Sequence, residues 1–355
     1  MTEVNTLKES RKENLKKNFN RFKQSKIGMT GLVIVILFGV LAVLQPLLFL
    51  SGIWDYKTYD PVVGYDAEKY IAEVVVCPDE YPNERYAERK ECPGRNEVSL
   101  ISVKPYNPGI KEGDTIERFR QPAEPSGKHL LGTDSLGRDV FSQIMEGSQV
   151  AFILGLLSAT LSVVISTILG SIAAYFGGFI DSYLMRQSDL LLMLPSLPLL
   201  FIISAFTELQ VWHLALVLGI LGGLGGSVIT IKSQALQVKV KPFVDSARIT
   251  GGSRMNILFS HILPNVAPLA LLFMVFGVTG AIASESVLSF LGLLNIDMSW
   301  GLMISVSQAD GYINQGLTYW WLVIPAGLSV TLLAGGFYLV GRGLDDVFNP
   351  RLRKR

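Results

Sequence analysis

Long apolar stretches without charge alternate with shorter polar segments along most of the chain. Six of them approach or exceed the roughly 20 apolar residues that a helix needs to cross a bilayer core about 30 Å thick. These stretches are residues 27–50, part of 147–180, and about 190–207, 211–231, 266–283 and 320–340. Buried helices of soluble proteins rarely keep so many consecutive residues free of charge. The pattern predicts an all-α membrane protein with six transmembrane helices.

Composition and charge support a membrane location and suggest an orientation. Charged residues make up only 17% of the 355 residues, against about 25% in soluble globular proteins. The first arm, residues 1–26, and the tail, residues 347–355, are basic, and the loop at about 232–262 carries five Lys or Arg against one Asp. Lys and Arg favour cytoplasmic loops, and six spans place both termini on one side. We therefore expect both termini and this loop in the cytoplasm of a multi-pass protein of the cell membrane.

A polar region at residues 51–127 separates the first two spans, and the span count places it outside the cytoplasm. Short runs rich in β-branched residues at 73–76 and 98–101 predict strands within a small extracytoplasmic insertion. Cys77 and Cys92, the two cysteines of the chain, lie in this region, and their spacing excludes a CxxC redox or zinc motif. A disulfide is the expected state outside the cytoplasm. Two free thiols in a disordered loop are the alternative.

The loop between the fourth and fifth stretches has the pattern of two short helices broken at a glycine pair. Phe243 and Ala247 lie four residues apart, which places them on one face of a helix. Gly251 suits a left-handed helix end, and Ser253 suits the N-cap of a following helix. A hairpin with an apolar face is suited to contact a protein partner. An ordinary helical hairpin between two spans is the alternative explanation.

This loop resembles the EAA loop of ABC importer permeases, in which an acidic residue and two alanines precede a glycine and a closing Leu-Pro. Asp245 and Ser246 stand where Glu and Ala are usual. The remaining positions of the resemblance are Ala247, Gly251, Gly252, Leu263 and Pro264. In that family the loop forms a coupling helix that docks into a groove of the cytoplasmic ATPase. The resemblance therefore implies an ATPase-coupling role for these residues, with Pro264 opening the fifth span.

A second segment, starting at His129, resembles the HxLGTDxxGRD signature of the C-type permease of dipeptide, oligopeptide and nickel importers. Its matching positions are Gly132, Thr133, Asp134, Gly137, Arg138 and Asp139. The glycines allow tight turns, and the charged side chains can form a cluster of ion pairs and hydrogen bonds beside the outer membrane face. A purely structural role for this cluster stays open.

Further segments resemble the same family and occur in the same order. They are residues 22–31, 175–181, 185–189 and 285–293, so that the resemblance covers residues 21–50 and 129–355. It implies the fold of a type I ABC importer permease, with a transmembrane domain of five helices at 128–346 after a first helix at 27–50. The insertion at 51–127 is longer than the usual linker of the family.

Glu285 is the one carboxylate near the end of a predicted span that could face a translocation path. An ionisable side chain inside a membrane protein is a functional hypothesis by default. A hydrogen bond that packs two helices against each other explains the residue equally well. A role in the path and a role in helix packing both stay open for Glu285.

The chain contains no GxxxxGK[ST] sequence, so it has no P-loop for ATP. His213 and His261 are too isolated to form a metal site. The resemblance implies that ATP and Mg bind two partner ATPase subunits or domains, beside a homologous second permease and an extracytoplasmic solute-binding protein. We therefore expect a transport subunit in contact with membrane lipid, with no nucleic-acid partner and no enzyme activity of its own.

The resemblance favours peptides as the solute but leaves nickel complexes, sugars and other small solutes open. The alternative function is a secondary transporter driven by an ion gradient. Such transporters usually show inverted repeats, broken helices and intramembrane charges. Neither an internal repeat nor an acidic relay is evident in the sequence, so the ATP-driven importer is the favoured interpretation.

Overall fold

Helices account for nearly all of the chain that the structure describes. The computed structural model describes residue 17, residues 19–52 and 122–348, and the backbone of three strands between the two long ranges. In chain order the helices are α1 (Lys26–Leu50), α2 (Val140–Phe176), α3 (Gly178–Met193), α4 (Ser196–Phe206), α5 (Val211–Leu224), α6 (Gly226–Lys239), α7 (Pro242–Ile249), α8 (Arg254–Ile257), α9 (Leu263–Phe290), α10 (Trp300–Ala309) and α11 (Trp320–Phe348). A π-helical turn, Leu258–Ile262, joins α8 to α9, and a 3-10 turn, Tyr312–Gln315, lies between α10 and α11.

Four of these helical segments are long and apolar enough to cross a membrane. They are α1, α2, the continuous helix formed by α8 and α9, and α11. Two further pairs reach the required length and hydropathy together, although α3 and α4 meet at 85° and α5 and α6 at 43°. If each bent pair counts as one span, the part of the chain that the structure describes has six, the number predicted from the sequence.

The third and fourth predicted spans each consist of two helices that meet at an angle. The third is interrupted at Leu194 and Pro195, both of which are extended, with ψ near 120°. Proline has no N–H to donate and disfavours a helical conformation in the residue before it, so α3 ends at Met193. The fourth is interrupted at Gly225, with φ −81° and ψ −142°. A count of apolar residues gives the length of such a span but not its break.

Helix α2 lies at the centre of the bundle and packs against α1, α5, α6 and α9. At 1.5 Å per residue its 37 residues extend over roughly 55 Å. One buried cluster, which includes Phe38, Trp300 and Trp321, surrounds its N-terminal half. A second cluster joins its C-terminal end to α6, α7, α8 and α9. The two ends of the bundle are thus connected by one continuous helix.

The structure describes three short strands in the insertion between α1 and α2. They are β1 (Lys69–Val76), β2 (Leu100–Val103) and β3 (Thr115–Phe119). Their order in the sheet is β2-β1-β3, with β1 parallel to β2 and antiparallel to β3. The two predicted strands correspond to β1 and β2, although β2 starts two residues later than expected, and β3 was not predicted. Cys77 and Cys92 lie outside the described residues, so the disulfide stays a prediction.

Candidate functional site

The segment between α6 and α9 forms a helical hairpin, which comprises α7, a turn and α8. Pro242 occupies the first turn of α7, where its missing N–H leaves no hydrogen bond unmade. Gly251 has φ +82°, and the amide that follows it donates to the Ala247 carbonyl oxygen at 3.0 Å. The hydroxyl of Ser253 accepts from the Asn256 amide at 3.3 Å. These are the bonds of a left-handed helix end followed by an N-cap.

One side of the hairpin is buried against the bundle. Val244 in α7 and Ile257 in α8 have exposed fractions of 0% and 1%, and both belong to the cluster that reaches the end of α2. Ala247 is half-buried against the same cluster. The hairpin is therefore anchored to the spans by its own apolar side chains.

Large apolar side chains on the hairpin and at its two ends are left uncovered by the rest of the chain that the structure describes. They are Val240, Phe243, Ile249, Met255 and Phe259, with exposed fractions between 40% and 87%, and we call them the apolar hairpin face. Large exposed apolar side chains concentrated in one segment are typical of an interaction surface. The two departures from the EAA pattern also lie on the surface. Asp245 accepts from Arg248 at 3.0 Å, and the hydroxyl of Ser246 donates to the Pro242 carbonyl at 3.0 Å.

The end of the loop differs from the expectation that Pro264 opens the fifth span. The helix is already continuous from Arg254, and Pro264 is the second residue of α9. The π-helical turn explains how this is possible. Its closing amide, that of Leu263, donates to the Leu258 carbonyl five residues earlier. The wider turn accommodates a proline ring, which would clash with the preceding turn of a regular α-helix.

At the other end of α2, the carboxylate of Asp134 organises the motif that precedes the helix. Its Oδ1 accepts from the amides of Leu136 and Arg138 at 2.9 and 2.8 Å. Its Oδ2 accepts from Arg138 Nε at 2.7 Å and from Gln143 Nε2 at 2.8 Å. The turn requires a left-handed residue at Gly137, where φ is +80°.

Asp139 caps α2 and also holds a buried histidine. Its Oδ1 accepts from the Ser142 amide at 2.7 Å, as an N-cap does. Its Oδ2 lies 3.1 Å from His129 Nδ1, and both side chains have an exposed fraction of 0%. Thr133 extends the network because its hydroxyl accepts from the Ala123 amide at 2.8 Å. The residues of this signature therefore form one buried structural unit.

The same motif also contacts the start of α11 and the turn before it. The indole N–H of Trp321 donates to the Thr133 carbonyl oxygen at 3.3 Å. Gly132 lies so close to this ring that an added Cβ atom would be 3.0 Å from Trp321 Cδ1. The rings of Tyr312 and Tyr319 lie 4.8 Å apart beside this contact. Burial raises the pKa of the Tyr312 phenol, and the charge of Asp310 raises that pKa further. Tyr312 is therefore neutral at physiological pH.

Glu285 makes hydrogen bonds within its own helix. Only 2% of the residue is exposed, and its carboxylate accepts from the hydroxyls of Ser289 at 2.6 Å and Ser286 at 3.3 Å. Because these hydrogen bonds stay within α9, they do not decide between a contact that packs two helices and a role in the path. A role in the path stays a hypothesis.

A cavity of about 460 Å³ opens where the bend between α3 and α4 meets the break between α5 and α6. Its lining combines leucines and glycines with the hydroxyls of Ser158, Ser162, Ser196 and Ser284. A break in a helix leaves backbone N–H and C=O groups without hydrogen-bond partners. Exposing such groups to lipid is unfavourable, so they occur where protein or a water-filled cavity surrounds them. The two breaks therefore lie beside an opening in the bundle. Glu285 is not among the residues that line it.

Sequence reasoning missed the contacts that fasten neighbouring helices around the hairpin. Lys232 in α6 lies 2.5 Å from the carboxylate of Asp181 in α3, and Lys239 at the end of α6 contacts the end of α2. In the sequence, both lysines contribute only to the positive charge that predicts a cytoplasmic loop. Lys239 and Gly177 each mark the end of a helical segment. Which helix ends lie close together depends on the tertiary fold, so the contact could not be predicted.

Comparison with known protein families shows which family the chain belongs to. Residues 166–354 match the family described as the binding-protein-dependent transport system inner membrane component. The chain belongs to this family. Residues 15–66 of the permease also match the N-terminal transmembrane domain of oligopeptide transport permease C. The resemblance inferred from the sequence motifs is thereby confirmed, and with it the fold class of a type I importer permease.

Relatives of this permease carry names that refer to peptide transport. It is 35% identical over 263 residues to the oligopeptide transport system permease protein OppC of Bacillus subtilis, which covers 72% of this chain and 84% of the relative. A putative peptide transport system permease protein of Brucella suis gives 35% identity with the same two shares. The OppC protein of Mycobacterium bovis is 33% identical over 260 residues, with shares of 72% and 87%. The permease is thus a transport subunit of a peptide ABC permease family.

Proposed function

We propose that this permease is one membrane subunit of an ATP-driven importer and that the apolar hairpin face docks on a cytoplasmic ATPase. The observation that carries the proposal is the exposure of these side chains on a hairpin whose opposite side is firmly packed into the bundle. An apolar surface held rigidly at one end of a membrane bundle is suited to transmit force from a bound partner.

The same proposal includes an orientation of the permease in the membrane and a set of partner proteins. The hairpin, both termini and the basic arms lie in the cytoplasm, and the Asp134 motif and the insertion lie outside, in agreement with the positive-inside rule. ATP and Mg bind to two P-loop ATPase subunits or domains. A homologous second permease completes the translocation path, and an extracytoplasmic binding protein delivers the solute. Peptides are the proposed solute, because the relatives are named for peptide transport.

The cavity at the two helix breaks is the proposed border of the translocation path in this subunit. Its serine hydroxyls and the backbone groups of the interrupted helices can exchange hydrogen bonds with the amides of a peptide. Closure of the ATPases moves the hairpin, and the spans around the path then change between inward-open and outward-open arrangements.

A single exposed residue tests the docking. Ala247 is a poor choice because it is half-buried, so a large side chain there would disturb the hairpin itself. Ile249 is 87% exposed and ends α7, where an arginine is compatible with the helix dipole. We expect Ile249→Arg to reach the membrane normally but to reduce the co-purified ATPase at least about tenfold, because a charge replaces a central apolar contact.

Leu317 offers a matched control. It is 76% exposed and lies shortly before α11, at the opposite end of the bundle from the hairpin. Leu317→Arg introduces the same charge on another highly exposed apolar position and should leave the amount of bound ATPase unchanged. Equal ATPase recovery with wild-type and Ile249→Arg permease, at equal permease levels, would show that the hairpin is not the docking site.

A further inference from the structure

The C-terminal end of α2 is capped by a side chain from another helix. The last carbonyl groups of a helix have no partner within it and carry partial negative charge. The ammonium group of Lys239, the last residue of α6, donates to the carbonyl oxygens of Ala174 and Tyr175, each at 2.9 Å. The Gly177 amide bonds to the carbonyl of Ala173. The end of α2 is therefore fixed to the end of α6, directly before the hairpin begins.

The ring of Tyr175 connects the same helix end to the hairpin. This side chain is 9% exposed. The Lys239 ammonium lies 5.9 Å from its ring centroid, and the guanidinium carbon of Arg248 in α7 lies 5.8 Å from it. Both distances fall within the range of cation–π attraction. One aromatic ring thus contacts a cation from α6 and a cation from the hairpin.

Apolar packing surrounds these polar contacts. Ala174 in α2, Val238 in α6, Val244 in α7 and Ile257 in α8 are all buried in one cluster. Protein interiors are close-packed, so a displacement of one member displaces its neighbours. The hairpin therefore has little freedom to move without the end of α2.

We propose that Lys239 and Tyr175 form a mechanical link that transmits movement of the hairpin to α2. The inference rests on the proposed docking of an ATPase and assigns the residues that couple it to the spans. Because α2 continues without interruption to the Asp139 cap, the link connects the ATPase end of the permease to the motif at the other end. We call both positioning residues, because in this proposal they act through the helices that they connect.

Substitutions that remove one contact each test the link. Lys239→Met removes the ammonium group but keeps most of the apolar stem, whereas Lys239→Arg restores donors for the two carbonyls. Tyr175→Leu removes the ring, and Tyr175→Phe keeps it. Each variant is co-purified with its ATPases and second permease, placed in lipid nanodiscs, and assayed for ATP hydrolysis with and without the binding protein, isolated with the ligand it retains. Thermal melting of each complex is recorded in parallel.

We expect Lys239→Met and Tyr175→Leu to assemble and to hydrolyse ATP at a basal rate within about twofold of wild type. Their stimulation by the binding protein should fall at least fivefold, while Lys239→Arg and Tyr175→Phe keep it. A contact that only stabilises the fold would lower the melting temperature and leave the stimulation ratio unchanged, which would overturn the link. Loss of the ATPases from these variants would overturn it as well, because the residues would then determine docking. A wild-type permease that recovers no ATPase, or a wild-type complex without stimulation, would instead refute the proposed function on which the link rests.

Discussion

Asp134 shows how one carboxylate organises an entire end of the permease. Four donors from three residues converge on its two oxygens, at distances from 2.7 to 2.9 Å. Its ion pair with Arg138 is nearly buried, because the two side chains are only 9% and 11% exposed. Charge-assisted hydrogen bonds of this kind are stronger than neutral ones. The carboxylate therefore holds the turn that presents Asp139 as the cap of α2.

We expect Asp134→Asn to destabilise the permease although it preserves size and shape. The amide has one acceptor oxygen instead of two and leaves the Arg138 guanidinium without a counter-charge, which costs about 2–4 kcal/mol for a nearly buried pair. The measurement is the melting temperature of the purified protein in detergent. Asp297→Asn is the matched control, because Asp297 is exposed and its melting temperature should match that of wild type. Equal melting temperatures for both variants would contradict the structural role of Asp134.

The residues of this motif could be predicted from the sequence, but several of their partners could not. A local cluster of Asp134, Arg138 and Asp139 follows from residue type and short spacing. Trp321, by contrast, bonds to a residue 188 positions away, and such a contact depends on how the helices pack. His129 could be assigned to the motif, whereas its contact with Asp139 required the turn geometry.

At the scale of elements, small residues determine how closely α1 approaches α11. Gly28 packs against Gly343, and Gly31 packs against the backbone of Gly336 and Val340. A Cβ at Gly31 would lie only 2.5 Å from the Gly336 oxygen. In lipid, where apolar surfaces gain nothing by avoiding water, close packing of this kind holds helices together.

We expect Gly31→Ala to loosen the contact between α1 and α11. The added methyl group meets backbone atoms that cannot rotate away, and overpacking of this type costs about 1–3 kcal/mol. A cross-link between cysteines placed on the two helices would form more slowly than in wild type, and the melting temperature would fall. Gly39→Ala is the control on the same helix, because a Cβ there lies 3.7 Å from Phe152, an ordinary contact distance. If the two variants behave alike, close approach at Gly31 does not stabilise the pair.

The apolar runs of the sequence predicted where helices form but not where those helices are interrupted. The six predicted stretches correspond to four long helices and two bent pairs. Pro195 was visible as a helix breaker, but its effect depends on whether neighbouring helices support a kink or a sharp bend. The π-helical turn before Pro264 has no comparable signal in residue type. The hairpin was predicted well because proline, glycine and serine at α7 and α8 occupy positions that these residues strongly prefer.

At the scale of the whole molecule, α2 connects two specialised ends of the bundle. Its first residue follows the Asp139 cap, and its last turn is held by Lys239 beside the hairpin. The family membership makes this arrangement meaningful, because an importer must link events on the two sides of a membrane. The hairpin and the motif carry the resemblance to a transport family, and membership of that family does not select among substrates.

Native mass spectrometry of the affinity-tagged permease, extracted gently from its own membrane, tests the central claim most directly. We expect one assembly that contains this chain, a second homologous permease and two P-loop ATPase subunits or domains, and we expect Ile249→Arg to release the ATPases. Two results together would contradict the claim and support a secondary transporter. The wild-type permease would be recovered alone or as a homodimer, and solute uptake by the same membranes would stop when ion gradients are dissipated but continue when ATP is depleted.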